Sequence, residues 1–205
     1  ICLAFAGINC SYLQEGPLSR FFPLDYPSES TVGNDGSVYV IDQSKQRVSA
    51  FTQDGRYRYQ IYGGSRSESA FYSAEDVKTD EAGNLYVADT MLAIDGSAIE
   101  RERILKFGPD GKYLSTVFDM AYEGDDRPIT VGKIQGMTYA DGHLRFVFAE
   151  TGKLSLMQVS TSGGEAETVK EIACDTQYLI SYAIGGQDQI YAVTKMADIL
   201  RIEDD

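Results

Sequence analysis

The feature that most constrains this chain is a unit that recurs along it. One copy reads Asp76-Val77-Lys78-Thr79-Asp80-Glu81-Ala82-Gly83-Asn84-Leu85-Tyr86-Val87-Ala88-Asp89, and after a gap Arg103-Ile104-Leu105-Lys106-Phe107-Gly108-Pro109-Asp110-Gly111-Lys112. An earlier copy runs Asp35-Gly36-Ser37-Val38-Tyr39-Val40-Ile41-Asp42, then Arg47-Val48-Ser49-Ala50-Phe51 and Asp54-Gly55-Arg56. Two degenerate copies follow, around Asp141-Gly142-His143-Leu144-Arg145-Phe146-Val147 and Gln187-Asp188-Gln189-Ile190-Tyr191-Ala192-Val193. Their first turns stand at residues 36, 83, 142 and 188, spaced by 47, 59 and 46 residues, the period of a radial repeat.

Each unit carries the same physics. An Asp-Gly or Gly-Asn pair supplies the positive φ that a tight hairpin needs. A strand rich in β-branched and aromatic residues follows, such as Val38-Tyr39-Val40 or Leu85-Tyr86-Val87. A second strand, 103–107, alternates Ile104 against Leu105 and Phe107, and a second Asp-Gly turn opens an outer strand at Tyr113. Four short strands per unit, repeated around an axis, make a β-propeller. Unrelated hairpins in a β-sandwich are the competing arrangement.

The string Gly-Asn-Leu-Tyr-Val-Ala-Asp followed by Arg-Ile-Leu-Lys-Phe and Asp-Gly-Lys resembles an NHL repeat, most closely over 76–118, then over 30–62, and faintly in the last two units. The resemblance implies an all-β propeller, with about four blades of a six-bladed parent present. The expected blades are 27–63, 75–118, 133–173 and 178–205, preceded by an N-terminal segment, 1–26. A Gly closes the turn four residues after Phe51, Phe107 and Val159, so the equivalent after Ile202 falls at position 206 and the last blade is expected to lack its outer strand. Propellers of this kind bind proteins or RNA, sense ligands, or in a few cases act as lyases or hydrolases. Fold alone does not choose among these.

Charge narrows the choice. With 31 acidic and 18 basic residues, the net charge of −13 disfavours nucleic acid and a polybasic membrane-surface patch. Cys2, Cys10 and Cys174 match no zinc or redox spacing, and buried thiols are expected. The apolar opening Ile1-Cys2-Leu3-Ala4-Phe5-Ala6-Gly7 reads either as the end of a signal peptide or membrane anchor, the favoured reading, or as a buried strand.

Two long segments, 91–102 and 119–133, are expected as insertions on one face of the disc. They carry Asp95, Glu100, Glu102, Asp119, Glu123, Asp125 and Asp126, a candidate binding face competing with simple solvated loops. Asp42 and Asp89 end equivalent strands and are expected to bond local backbone. The tyrosines Tyr57, Tyr59, Tyr62 and Tyr72, with Phe71, are expected as packing between the first two blades. His143 is the only histidine, so neither a three-His metal site nor a Ser-His-Asp triad is supported. No cofactor and no metal are expected.

The sequence thus favours a non-catalytic ligand- or protein-binding or sensing module, forming the extracytoplasmic part of a membrane-anchored bacterial protein. The alternatives are a metal-dependent hydrolase of the gluconolactonase-like kind and a structural scaffold for protein partners.

Overall fold

The computed structural model describes residues 23–122 and 134–203. Strands β1 (Pro27–Val32), β2 (Val38–Asp42), β3 (Arg47–Phe51) and β4 (Tyr57–Tyr62) form the first sheet. The second holds β5 (Ala74–Thr79), β6 (Leu85–Leu92), β7 (Ile99–Phe107) and β8 (Tyr113–Ala121). The third holds β9 (Ile134–Ala140), β10 (His143–Glu150), β11 (Lys153–Ser160) and β12 (Glu167–Ala173). The fourth has three strands, β13 (Leu179–Ile184), β14 (Ile190–Thr194) and β15 (Ile199–Ile202).

Every sheet is an antiparallel meander in chain order. The first strands of successive sheets touch one another, β1 on β5, β5 on β9 and β9 on β13. The sheets are therefore blades arranged around a common channel, with β1, β5, β9 and β13 innermost. This is a propeller arrangement of four blades.

Alternation within each strand explains the stacking. Leu85, Val87, Leu105 and Phe107 pack with Tyr39, Ile41, Val48 and Ala50 of the first blade. The intervening Tyr86, Ala88 and Ile104 pack with Leu144, Phe146 and Val159 of the third. The second blade is thus buried on both faces, which is why β6 and β7 read as almost continuous apolar runs. Val147, Ala149, Leu154 and Leu156 meet Ile190 of the fourth blade. On that blade and the turn entering it, Tyr178, Ile180, Met196, Ile199 and Leu200 are exposed.

A buried ion pair closes each of the first two blades at one end. Asp42 and Arg47 face each other across the β2–β3 hairpin, and Asp89 and Arg103 hold the same position in β6–β7. Arg47 donates to Asp42 at 3.0 and 2.8 Å, and Asp42 also accepts the backbone N–H groups of Asp25 and Tyr26. Arg103 donates its Nε to Asp89 at 3.0 Å, and Asp89 accepts the N–H groups of Tyr72 and Ser73. The guanidinium of Arg103 also reaches the carbonyls of Ser67 and Ala70. Each pair therefore fastens the loop that enters the inner strand. Asp42 and Asp89 do not bond local backbone as expected: the N–H groups they accept stand 16 and 17 residues earlier in the chain, and their arginine partners are additional. Counted from the same turn, the third blade has Phe148 opposite Ser155 at this position, without charge.

The segment 91–102 differs from expectation. Most of it is strand, because Thr90 pairs with Glu102, Met91 with Arg101 and Leu92 with Ile99. Buried Met91, Ala98 and Ile99 give this extension an apolar interior, leaving only 93–98 as a turn. Asp119 likewise lies within β8 and not in a loop.

Removing Arg103 strands Asp89 as an unpaired charge in a site with no solvent exposure. Arg103→Ala is expected to lower stability by about 3–5 kcal/mol, measured by urea unfolding. A loss within experimental error of zero would contradict the fastening role.

Candidate functional site

The inner strands carry a shared irregularity. The pairing of each with its neighbour shifts near its beginning, between Pro27 and Ser30, between Ala74 and Asp76, between Gln135 and Thr138, and between Leu179 and Ser181. A bulge releases backbone groups from the ladder and re-aims side chains.

Asp76 uses what the bulge releases. Its Oδ2 accepts the N–H of Met137, on the next blade's inner strand, at 2.7 Å, and its Oδ1 accepts that of Val77 at 2.7 Å. Opposite this link stands Gly136, with φ at 64°. A Cβ there would lie 2.9 Å from the Tyr182 carbonyl oxygen and 3.1 Å from the Ala183 Cα, so glycine lets blades three and four approach.

A cavity of about 590 Å³ opens where the four inner strands converge. Its walls are chemically different. Blades one and two contribute Ser28, Glu29, Ser30, Glu75, Asp76 and Lys78. Blade four contributes Ile180, Tyr182, Ala183 and Ile184, with Ser181 between them, and Gln135 and Thr138 of blade three join the two. Volume and mixed lining suit a small organic ligand.

The electrostatics follow from crowding carboxylates in a partly dry space. Desolvation pushes the Asp76 carboxyl up to about 6, with the charge of Glu29 adding and the Met137 N–H, Lys78 and the Val77 N–H opposing. Desolvation also raises Glu29, against the pull of Lys78. Two acceptor atoms among the lining residues, Ser28 Oγ and Gln135 Oε1, are buried without a hydrogen-bond partner in the protein.

Each described acidic residue singled out in the sequence is held by its own partner. Asp95, at the β6–β7 hairpin tip, accepts from the N–H and hydroxyl of Ser97. Glu100 pairs with Arg66. Asp119 accepts Nε of Arg101 at 2.7 Å, and Arg101 also holds Glu68 at 2.7 Å. Glu102 is fully buried and accepts the Tyr122 hydroxyl at 2.7 Å. Glu123, Asp125 and Asp126 lie outside the described residues, as do Cys2 and Cys10.

His143 begins β10, its Nδ1 2.9 Å from the Asp141 carbonyl oxygen. Cys174 is a half-buried free thiol, held above its ordinary pKa by desolvation and the nearby Asp175 charge. Of the aromatic group, Phe71 and Tyr59 pack between blades one and two, Tyr57 packs on the far face of blade one, and Tyr62 is exposed. Tyr72 lies under the Arg66 guanidinium, 5.9 Å from its ring centre.

Sequence reasoning missed the channel residues because they match no motif. A signal was present nonetheless. Once the repeat defines blades, the first strand of each is innermost, so Glu29, Asp76, Lys78 and Gln135 are placed by arithmetic from the turns. Among the described residues, no three His, Cys, Asp or Glu side chains are grouped to hold a metal ion. No helix there is long and apolar enough to cross a membrane.

The blades and their channel define an NHL-repeat-like β-propeller. No protein-family model matches the chain, and no curated protein does. Among solved structures, it is similar to a chain of a nidogen/laminin complex, with a TM-score of 0.57 and 14% identity over 84% of this chain and 58% of that one. It is also similar to a protein of unknown function from Bacteroides thetaiotaomicron, with a TM-score of 0.54 and 11% identity over 87% of this chain. A virginiamycin B lyase from Staphylococcus aureus gives a TM-score of 0.48 and 12% identity over 86% of this chain and 55% of that one. The first two likenesses show the fold. The chain spans 58% of the length of the first of these chains and 41% of the second.

Because the Asp76 carboxyl is raised on folding, its contribution to stability is complete below the ordinary value of 3.8 and is lost as pH rises through about 6. The change is roughly 3 kcal/mol. The stability of Asp76→Asn relative to the native chain should therefore improve by that order between pH 4 and pH 8. NMR titration of the Asp76 carboxyl should show its midpoint near 6, and a midpoint at the ordinary aspartate value contradicts the assignment.

Proposed function

We propose that this propeller is a binding module that seats a ligand at its central channel and performs no chemistry on it. The observation that carries this reading is the cavity of about 590 Å³ lined by the inner strands of all four blades. It is walled by the innermost strands, where a cross-blade hydrogen bond from the Met137 N–H holds Asp76. A preformed, partly apolar pocket with a few placed polar groups is what small-molecule recognition needs.

Two finer elements belong to the same proposal. The likeness to a chain from a nidogen/laminin complex supports a protein partner as a further occupant of the disc face. The apolar opening Ile1-Cys2-Leu3-Ala4-Phe5-Ala6-Gly7 supports a place outside the cytoplasm, next to a membrane.

A thermal-shift panel of sugars, amino acids, amines, peptides and lactones tests the reading, with divalent metals run with and without chelator. A ligand that binds only the folded chain at a hundredfold its Kd adds about 2.7 kcal/mol. The expected result is a shift that survives chelator, is diminished by Glu29→Gln or Gln135→Ala, and comes without turnover. Metal-dependent lactone hydrolysis would replace this reading with the hydrolase.

A further inference from the structure

The two walls of the channel cavity specify more than a generic ligand. On blades one and two, three carboxylates, Glu29, Glu75 and Asp76, stand against one ammonium, Lys78. Among the described residues, β9 and β13 bring no charged side chain to this cavity, and Tyr182 is its only other titratable group. The lining is net negative, within a chain whose net charge of −13 adds long-range attraction for cations.

The hydrogen-bond inventory agrees in sign. Ser28 Oγ, which can donate as well as accept, and the acceptor Gln135 Oε1 are buried without a protein partner and present almost no surface to the cavity, so the sign is set by the carboxylates. Asp76 Oδ1 and Oδ2 each take one backbone N–H, leaving lone pairs on both oxygens. A ligand complementary to these groups brings donors and positive charge. Burial already makes the ionised carboxylates costly, and a cation between them relieves that cost. The opposite wall sets the ligand's other end, because Ile180 and Ala183 are exposed apolar side chains on β13, and Ile180 retains 52% of its accessible surface.

We propose that the channel takes an organic ammonium ligand, its cationic head held between Glu29 and Asp76 and its apolar body laid against Ile180 and Ala183. This rests on the channel being a binding site and adds the chemical class of its occupant. An anion meets the carboxylates, and a neutral polyol leaves the charge uncompensated. Binding draws on ionised Asp76, so it weakens as pH falls through the range where that carboxyl protonates, with Glu29, Glu75 and Lys78 the other charges facing it.

The test uses three probes that share one body and differ in head group: 2-phenylethylamine, 2-phenylethanol and phenylacetate. Each is titrated into the chain by calorimetry, with calcium and magnesium chloride run separately with and without chelator. The expected result is that the amine binds, that the alcohol and the acid bind at least about tenfold more weakly, and that moving from pH 7.5 to pH 5 costs the amine about tenfold. Glu29→Gln, at an exposed position, and Asp76→Asn, checked for folding by circular dichroism, should each weaken the amine about tenfold and leave the alcohol unchanged.

Equal binding of amine and alcohol, both lost in the channel variants, overturns the ammonium assignment and leaves the channel as a binding site. So does failure of all three probes while another compound binds in a channel-dependent way. Amine binding unaffected by either variant overturns the placement. A shift produced by calcium or magnesium alone and reversed by chelator assigns the carboxylates to a metal instead. No channel-dependent binding by any compound removes the binding reading itself.

Discussion

The arrangement depends on a carboxylate and a guanidinium buried at the same hairpin position in successive blades. A propeller blade is easy to form as a meander, but its inner strand must enter at a fixed angle for a channel to exist. Asp89 and Arg103 set that angle by joining two strands of a blade to the loop arriving from the previous one. Asp42 and Arg47 do the same for the first blade, where Arg47 also reaches the Pro23 carbonyl. Burying such a pair adds little net stability over an apolar replacement. Its effect is geometric, since four directional hydrogen bonds converge on each carboxylate. The third blade shows the alternative, with Phe148 and Ser155 at the equivalent positions.

From that constraint the channel follows. Inner strands held at their beginnings pack side by side, and the pairing of each is irregular near its beginning, beside residues that line the cavity. Blades one and two, which keep the ion pairs, carry the charged channel residues. Blade three supplies the neutral Gln135 and Thr138, and blade four the apolar wall, where Gly136 permits close approach of β9 and β13. The degenerate copies of the repeat therefore differ in the channel too, and the cavity's two-sided chemistry arises from that asymmetry.

Much of the fold was legible because it is encoded in local periodicity. Asp-Gly turns and the alternation through 103–107 fix blades without any long-range information. The extension of β6 and β7 was not legible, because Thr90, Met91 and Ile99 look like loop residues until their cross-strand partners are known. The pairing of the described acidic residues was hidden for a related reason. Counting acidic residues along 91–133 says nothing of their partners, Arg66 from outside that stretch and Arg101 and Tyr122 from within it, which occupy Glu100, Asp119 and Glu102. The channel residues escaped attention because single polar residues on short strands resemble solvent-facing positions. Only the ring of inner strands makes Glu29 and Asp76 neighbours, 47 residues apart in the chain.

The central claim is that the ligand seats on the inner strands and not on the outer hairpins. Mapping amide chemical-shift changes on titration with a bound ligand tests it most directly. The account predicts that the largest changes fall on Glu29, Asp76, Met137 and Ser181, with little at the 93–98 turn. Changes concentrated on that turn and around Arg66 and Glu100, with the inner strands silent, would contradict it.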